Sequence, residues 1–331
     1  MRLGAFGDSI ITTPLIRKLK EQGHTIIYEY SDRGKAVLAN NPHIDEHVFY
    51  KADSVPFDKL QDHWDEQAIK YKADKVINLS ETIEYALATH PRSPRYFYPK
   101  NERKELCNRN YYEYTFERAG VKWEDDDLRP ELFFDEGEIH EAKELMRIAH
   151  FNILFCLSGS GKHKAYPWTE VVINEILEKC PNAHIITTGD VFCKLLEEEH
   201  DRVTSISGEA DIRTSMALTG LVDLVVSPDT GILHAAGCYD TPKIGLLGHT
   251  TIENITKHFT NDMSIESDGR LVECSPCFKM IYDMNSQCPI DNRTGGAFCM
   301  SKGIDPNEVV SMVEMVYNAW EDSDESEEEE G

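Results

Sequence analysis

Three short segments and one set of cysteines carry residue types that can do chemistry. The first is Gly7-Asp8-Ser9, with Thr12-Thr13-Pro14-Leu15 close behind. It places a carboxylate at the mouth of a helix, near backbone N–H groups and near whatever binds at the ends of parallel strands. The plainer reading of Asp8 is a helix cap. The second segment is Ser158-Gly159-Ser160-Gly161-Lys162-His163-Lys164, which leads into Ala165-Tyr166-Pro167-Trp168. Small residues let a ligand approach the backbone, hydroxyls donate hydrogen bonds, and two lysines add positive charge to an acidic chain, a combination suited to phosphate. It is no Walker A loop, because Cys156 and His163 stand where that motif needs Gly and Ser or Thr. The third is Ser227-Pro228-Asp229-Thr230-Gly231-Ile232-Leu233-His234. Here Asp229 is expected to cap a helix whose Thr230 and Gly231 amides face a cleft, with His234 one turn further on.

The cysteines are Cys274, Cys277, Cys288 and Cys299, a Cys-x2-Cys knuckle followed by two gaps of ten residues. Four thiolates satisfy tetrahedral zinc, although even ten-residue gaps are not a zinc-ribbon spacing. Two readings stay open, reduced structural thiols and a structural zinc site. Disulfides rank third.

These segments need elements to hold them. Short apolar runs rich in β-branched or aromatic residues recur at 25–30, 47–50, 75–79, 152–157, 184–188, 203–206, 224–227 and 243–247. Helical periods fall between them at 9–22, 58–72, 136–150, 168–179 and 191–200. Strand alternating with helix predicts parallel sheets in an α/β fold. The chain of 331 residues is long enough for two such units. The acidic run Glu124-Asp125-Asp126-Asp127 and a charged helix precede the restart of the strand pattern, so the boundary is placed near residue 150. Domains are thus expected at 1–150 and 151–320. A helix over 306–320 closes the fold, and the acidic tail 321–331 has too few apolar residues to order itself.

In this order the motifs resemble glycosyltransferase family 9, the ADP-heptose:lipopolysaccharide heptosyltransferases and their relatives. The resemblance rests on Gly7-Asp8 with Thr12 to Leu15, the run Asp74 to Leu79, Lys-x-x-Pro-Trp at Lys164 to Trp168, and Pro-Asp-Thr-Gly-x-x-His-x-Ala at Pro228 to Ala236. It spans residues 3 to about 316. It implies a GT-B fold, two Rossmann-like domains facing across a cleft, with the acceptor on the first and the nucleotide-sugar donor on the second. By similarity Asp8 matches the catalytic base, Ser160 and Lys164 the donor-phosphate contacts, and Asp229, Thr230, Gly231 and His234 the donor-side helix start. Gly189 and Asp190 fall where the family contacts the nucleoside. The implied activity is inverting, metal-independent transfer of a heptose or related sugar from a nucleotide-diphosphate donor to a glycan or lipid-linked acceptor. Family members carry a full apolar strand before Arg2-Leu3-Gly4, whereas Met1 here begins almost inside the motif. Either the first domain lacks that strand or the true start lies upstream.

Charge and composition narrow the classes. Thirty-four basic residues against 59 acidic give −25, and the eight acids of the tail leave −17 on the rest. That field repels phosphate backbones and argues against broad nucleic-acid binding. No apolar stretch has the length of a membrane span or a signal peptide, which reads as a cytoplasmic protein. In the acceptor region, Arg92 and Arg95 of His90-Pro91-Arg92-Ser93-Pro94-Arg95 are candidates to grip an anionic acceptor. Two alternatives remain: a non-catalytic nucleotide-sugar-binding or scaffold protein derived from a transferase, and a transferase acting on modified nucleic-acid bases.

Overall fold

The central strand of the molecule shows why a parallel sheet forms. Along Phe151–Cys156, Phe151, Ile153 and Phe155 enter one apolar core while Leu154 and Cys156 enter another, and the whole strand is buried. A strand apolar on both faces belongs inside a sheet covered by helices on both sides.

The structure is a computed structural model that describes residues 1–51, 59–88, 90–197 and 199–330. Its first half contains α1 (Phe6–Ile10), α2 (Thr13–Glu21), β1 (Ile27–Tyr30), α3 (Asp32–Leu38), β2 (Glu46–Phe49), α4 (Leu60–Tyr71), α5 (Lys100–Cys107), α6 (Tyr111–Ala119) and α7 (Glu136–Glu144). The second half continues with β3 (Phe151–Cys156), α8 (Thr169–Lys179), β4 (Ala183–Thr188), β5 (Val203–Ser205), α9 (Ile212–Leu218), β6 (Leu224–Pro228), α10 (Gly231–Ala236), β7 (Lys243–Leu247) and β8 (Ile265–Glu266). Three helices close it: α11 (Met284–Gln287), α12 (Phe298–Ser301) and α13 (Pro306–Glu330).

The large sheet has the order β5-β4-β3-β6-β7-β8, parallel throughout. From β3 the chain winds outward through β4 and β5, then returns to the other side of β3 and winds outward again through β6, β7 and β8. The loops after β3 and β6 therefore leave in opposite directions and open a crevice at the carboxyl ends of the strands, the usual ligand position in such sheets. Among the described residues no helix is long and apolar enough to cross a membrane.

The first half is less regular. β1 and β2 pair in parallel. Arg2 bridges to Tyr30 beside them, and on its other side the Met1 amino group donates to Ile77 O at 2.9 Å while Leu79 N–H donates to Met1 O at 2.9 Å. The strand expected over 75–79 is thus extended and lies beside residues 1–3, but its ladder is too short to count as a strand.

Four other expectations are corrected. The helix expected over 9–22 is two helices, broken where Thr12 Oγ1 donates back to Ser9 O. The helix expected over 191–200 is a single tight turn at Cys193–Leu196. Glu197 then extends so that its carboxylate accepts from the Thr187 and Ser207 hydroxyls. The helix expected to reach residue 150 ends at Glu144, and Arg147 N–H and Arg147 O both turn to the Asn152 side chain. Beyond Trp320, where the sequence predicts a disordered tail, the backbone of α13 continues to Glu330. Glu is a good helix former, and no Gly or Pro stops the helix there.

Candidate active site

The crevice at the switch point collects the second and third sequence motifs. Gly159, after β3, packs so closely on the loop after β6 that a Cβ there would lie 2.8 Å from Thr230 Cγ2 and 3.1 Å from Lys164 Cδ. Glycine is required for that approach. The loop then turns Lys164 back, and its Nζ donates to Asp229 O at 2.9 Å and to Asp229 Oδ2 at 3.1 Å. An ammonium has three N–H donors, so one remains for an anion in the crevice. Ser160 is exposed on the same loop.

Asp229 does not cap α10 as expected. Thr230 does, accepting the Ile232 N–H on its hydroxyl at 3.2 Å. The Asp229 carboxylate is drawn instead toward Lys164, with His249 Nε2 at 3.5 Å and His234 Nε2 at 3.9 Å. Burial alone would raise the carboxyl, but Lys164, followed by His249 and His234, outweighs burial and holds it well below the usual carboxylate range. Burial also keeps both imidazoles below the ordinary histidine value. At neutral pH Lys164 is therefore the cation that balances Asp229.

His234 is buried and its Nδ1 meets the Tyr112 hydroxyl at 2.9 Å, so it ties α10 to α6 of the first half. The first motif meets the third at the same place. A Cβ on Gly7 would lie 2.9 Å from His234 Cδ2, and one on Gly231 would lie 2.9 Å from Phe6 Cβ. α1 and α10 therefore face each other through two glycines, which carries Asp8 to the edge of the crevice.

Asp8 is both cap and ion-pair partner. Its Oδ2 accepts the Ala5 N–H at 2.6 Å, and its Oδ1 lies 2.7 Å from Arg2 Nη2. Its side chain is 21 % exposed, so the carboxylate is not wholly enclosed by these partners. Gly4 makes room for it, since a Cβ there would fall 2.4 Å from Asp8 Oδ2.

Gly189 and Asp190 follow β4. A Cβ on Gly189 would collide with Cys193 Sγ, whose sulfur lies 3.0 Å from Ser158 Oγ, so this turn abuts the phosphate-type loop. Asp190 Oδ1 accepts the Phe192 and Cys193 N–H groups at 2.9 and 3.3 Å, which commits that oxygen to its own turn. An open groove of about 590 Å³ beside β5, lined in part by Glu197, Ser205 and Ser207, includes neither Lys164 nor Asp229.

Cys274, Cys277, Cys288 and Cys299 all line one cavity of about 80 Å³, together with His163, His249, Arg103 and Lys279. All four are free thiols. Burial raises Cys277, pushes Cys288 up to about 12, and takes Cys299 well above the ordinary value. Among the described residues no group of three or more His, Cys, Asp or Glu side chains is arranged to hold a metal ion. The Cys loop instead clamps the end of β7: Ser275 Oγ donates to Gly248 O at 2.6 Å, and Phe278 N–H to His249 O at 2.8 Å.

Sequence reasoning missed Arg2, Glu84, Tyr112 and His249. His249 alone had a signal, its position just past a buried strand.

Buried neutral histidines make the fold acid-sensitive. His163 has neither ring nitrogen hydrogen-bonded, and its burial, aided by Lys164, lowers it to about 4; burial lowers His184, held by Asn152 and Thr204, to about 4 as well. Both folded values lie below the ordinary 6.5, so their contribution is full above pH 6.5 and is lost as the unfolded chain protonates between pH 6.5 and 4. Denaturant titrations at pH 7.5 and pH 5 are expected to differ by roughly 2 kcal/mol per histidine, and His163→Phe should remove its share of the difference.

The architecture and the matched segment agree on kinship. A model of glycosyltransferase family 9 (heptosyltransferase) matches residues 110–286. No curated protein matches the chain in sequence. Among solved structures, a family 9 glycosyl transferase from Veillonella parvula is similar at TM-score 0.62 and 15 % identity, covering 96 % of each chain. The E. coli ADP-heptose lps heptosyltransferase II is similar at TM-score 0.58 and 13 % identity, over 97 % of this chain and 98 % of that one. The iron-containing heptosyltransferase TibC of E. coli, solved with ADP-D-beta-D-heptose, is similar at TM-score 0.57 and 11 % identity, over 97 % of this chain and 76 % of that one. With more than half of its length matched by the family model and nearly all of it following these folds, the chain belongs to glycosyltransferase family 9 and has a GT-B fold.

Proposed function

We propose that the protein is an inverting transferase that moves a heptose or related sugar from a nucleotide-diphosphate donor to a hydroxyl of a glycan or lipid-linked acceptor. The observation that carries this is that, at the switch point of the large sheet, Lys164 is bound to Asp229 and Gly159 packs on Thr230, while Gly7 of α1, next to Asp8, packs on Gly231 and His234 of α10. The donor diphosphate lies against the third N–H of Lys164, the Ser160 hydroxyl and the first-turn amides of Thr230 and Gly231, which have no acceptor within their helix. Gly189 and Asp190 border the nucleoside. Asp8 takes the proton of the acceptor hydroxyl as it attacks the anomeric carbon from the face opposite the diphosphate. As the glycosidic bond to phosphate breaks, Lys164 and the amides stabilise the leaving charge, so the reaction needs no metal for that step. Binding of ADP-D-beta-D-heptose by TibC supports a nucleotide-sugar donor here.

The domain division fits this division of labour, with residues 1–150 on the acceptor side and 151–320 holding the donor. The test is stereochemical. A donor of known anomeric configuration, turned over by the purified protein with chelator present, should give the opposite anomer by ¹H NMR at undiminished rate. Retained configuration, or activity abolished by the chelator, would overturn the corresponding part of the proposal.

The four thiols enter as reduced side chains that pack the loop clamping His249. Structural zinc is the second reading, favoured by their sharing one cavity. Metal analysis of protein purified under reducing conditions should find no stoichiometric zinc; about one zinc per chain would establish the second reading.

A further inference from the structure

We propose that Glu84 is a positioning residue for the reaction, acting through Arg2 on Asp8; the inference rests on the reading of Asp8 as the base. Arg2 is almost wholly buried, its side chain 1 % exposed. Glu84 grips it with both oxygens, Oε1 at 2.7 Å from Nη2 and Oε2 at 3.1 Å from Nη1, while Nη1 also donates to Leu79 O at 3.1 Å. This two-pronged grip fixes the plane of the guanidinium, and Nη2 then reaches Asp8 Oδ1 at 2.7 Å. The Ala5 N–H holds the other oxygen. The orientation of the Asp8 carboxylate is set by these two contacts, and Glu84, together with Leu79 O, places one of them.

Charge gives Glu84 a second effect. Burial raises the Glu84 carboxyl and Arg2 opposes that rise; with Glu84 ionised, one guanidinium between two carboxylates leaves the trio with one negative charge, so a proton arriving on Asp8 makes it neutral. Without the Glu84 charge, the Arg2–Asp8 pair is already neutral, and the same proton would leave a buried positive charge. Transfer to Asp8 is then opposed at the moment the acceptor hydroxyl attacks. Glu84 touches neither donor nor acceptor in this scheme. It sets both the aim of the base and the electrostatic balance around it.

The experiment uses Glu84→Gln, which keeps the side-chain shape, in the full chain and in the Asp8→Asn background, with kcat, KM and donor affinity measured together. In the Asp8-containing protein, Glu84→Gln should lower kcat roughly 10- to 100-fold, with donor affinity close to wild type and a lowered melting temperature, because the Gln NH2 faces one Arg2 N–H. Glu84→Asp, which restores the charge on a shorter arm, should recover part of the loss. In the Asp8→Asn background Glu84→Gln removes the second carboxylate from Arg2 and should lower the melting temperature, but turnover per donor-binding, folded molecule should change little, because the group it positions is gone. Unchanged kcat in Glu84→Gln, with Asp8→Asn inactive, would overturn the positioning role and leave Asp8 as the base. Equal losses from Glu84→Gln in both backgrounds would show a structural role and also overturn it. Full activity in Asp8→Asn would instead remove the base assignment on which the proposal stands.

Discussion

Replacing Lys164 by Ala should cut affinity for the donor and for its nucleoside diphosphate by about 10- to 150-fold, the loss of one charged hydrogen bond worth about 1.5–3 kcal/mol. The geometry adds a second effect. Lys164 is 17 % exposed and Asp229 9 % exposed, so the substitution strands a buried carboxylate. Breaking a buried pair in this way costs about 3–5 kcal/mol, although His234 and His249 are near enough to take up part of it. Melting temperature should therefore fall with donor affinity in Lys164→Ala. Lys164→Arg retains the charge and should recover more stability than affinity, because a planar guanidinium cannot reproduce the two Asp229 contacts and the phosphate contact together. Isothermal titration with the nucleoside diphosphate and with the bare nucleoside separates the effects. The nucleoside should bind almost as it does to wild type, and an unchanged diphosphate affinity would contradict the phosphate role of Lys164.

Position relative to the buried strands decides which parts of the site were legible in the sequence. Gly159, Lys164, Thr230 and Gly231 lie on short loops directly after buried strands, and local spacing is enough to place such loops at one end of a sheet. The strands over 151–156, 183–188, 224–228 and 243–247 were legible for a related reason: apolar runs buried on both faces look the same whatever surrounds them. The 75–79 run was legible as extended chain, but whether it forms a ladder depends on its distant neighbour at residues 1–3. Local propensity misled at 191–200, where a helical period gave way to the contacts of Glu197 with Thr187 and Ser207. Asp229 misled too: an Asp before a helix normally caps it, but Lys164, reached from 65 residues away, competes for the carboxylate more strongly than a helix amide does. Arg2 and Glu84, 82 residues apart, carry no pattern at all until the fold joins them. Helices such as α5 and α6 escaped notice because their apolar positions are interleaved with charge and tyrosine hydroxyls.

Asp8 decides whether the cleft transfers sugar in the way proposed. Asn at this position keeps an oxygen for the Ala5 N–H but then turns an uncharged NH2 donor toward the Arg2 N–H, so the fold loses one of the two carboxylates on that guanidinium. Glu84 still holds Arg2 by two hydrogen bonds, which limits the damage to stability. A base acts in the transition state and does not contact the donor phosphates, so the loss should fall on turnover, by about 10²–10⁴-fold. Donor binding also serves as the control for folding, because Lys164 and Asp229 are intact in the variant. Donor affinity and single-turnover rate, measured side by side in wild type and Asp8→Asn, therefore separate the base role from binding. Donor affinity should be nearly equal in the two proteins, with the rate reduced at least a hundredfold in Asp8→Asn, or about 2.7 kcal/mol in the barrier. A variant that binds donor normally and transfers sugar at the wild-type rate would contradict the base role of Asp8.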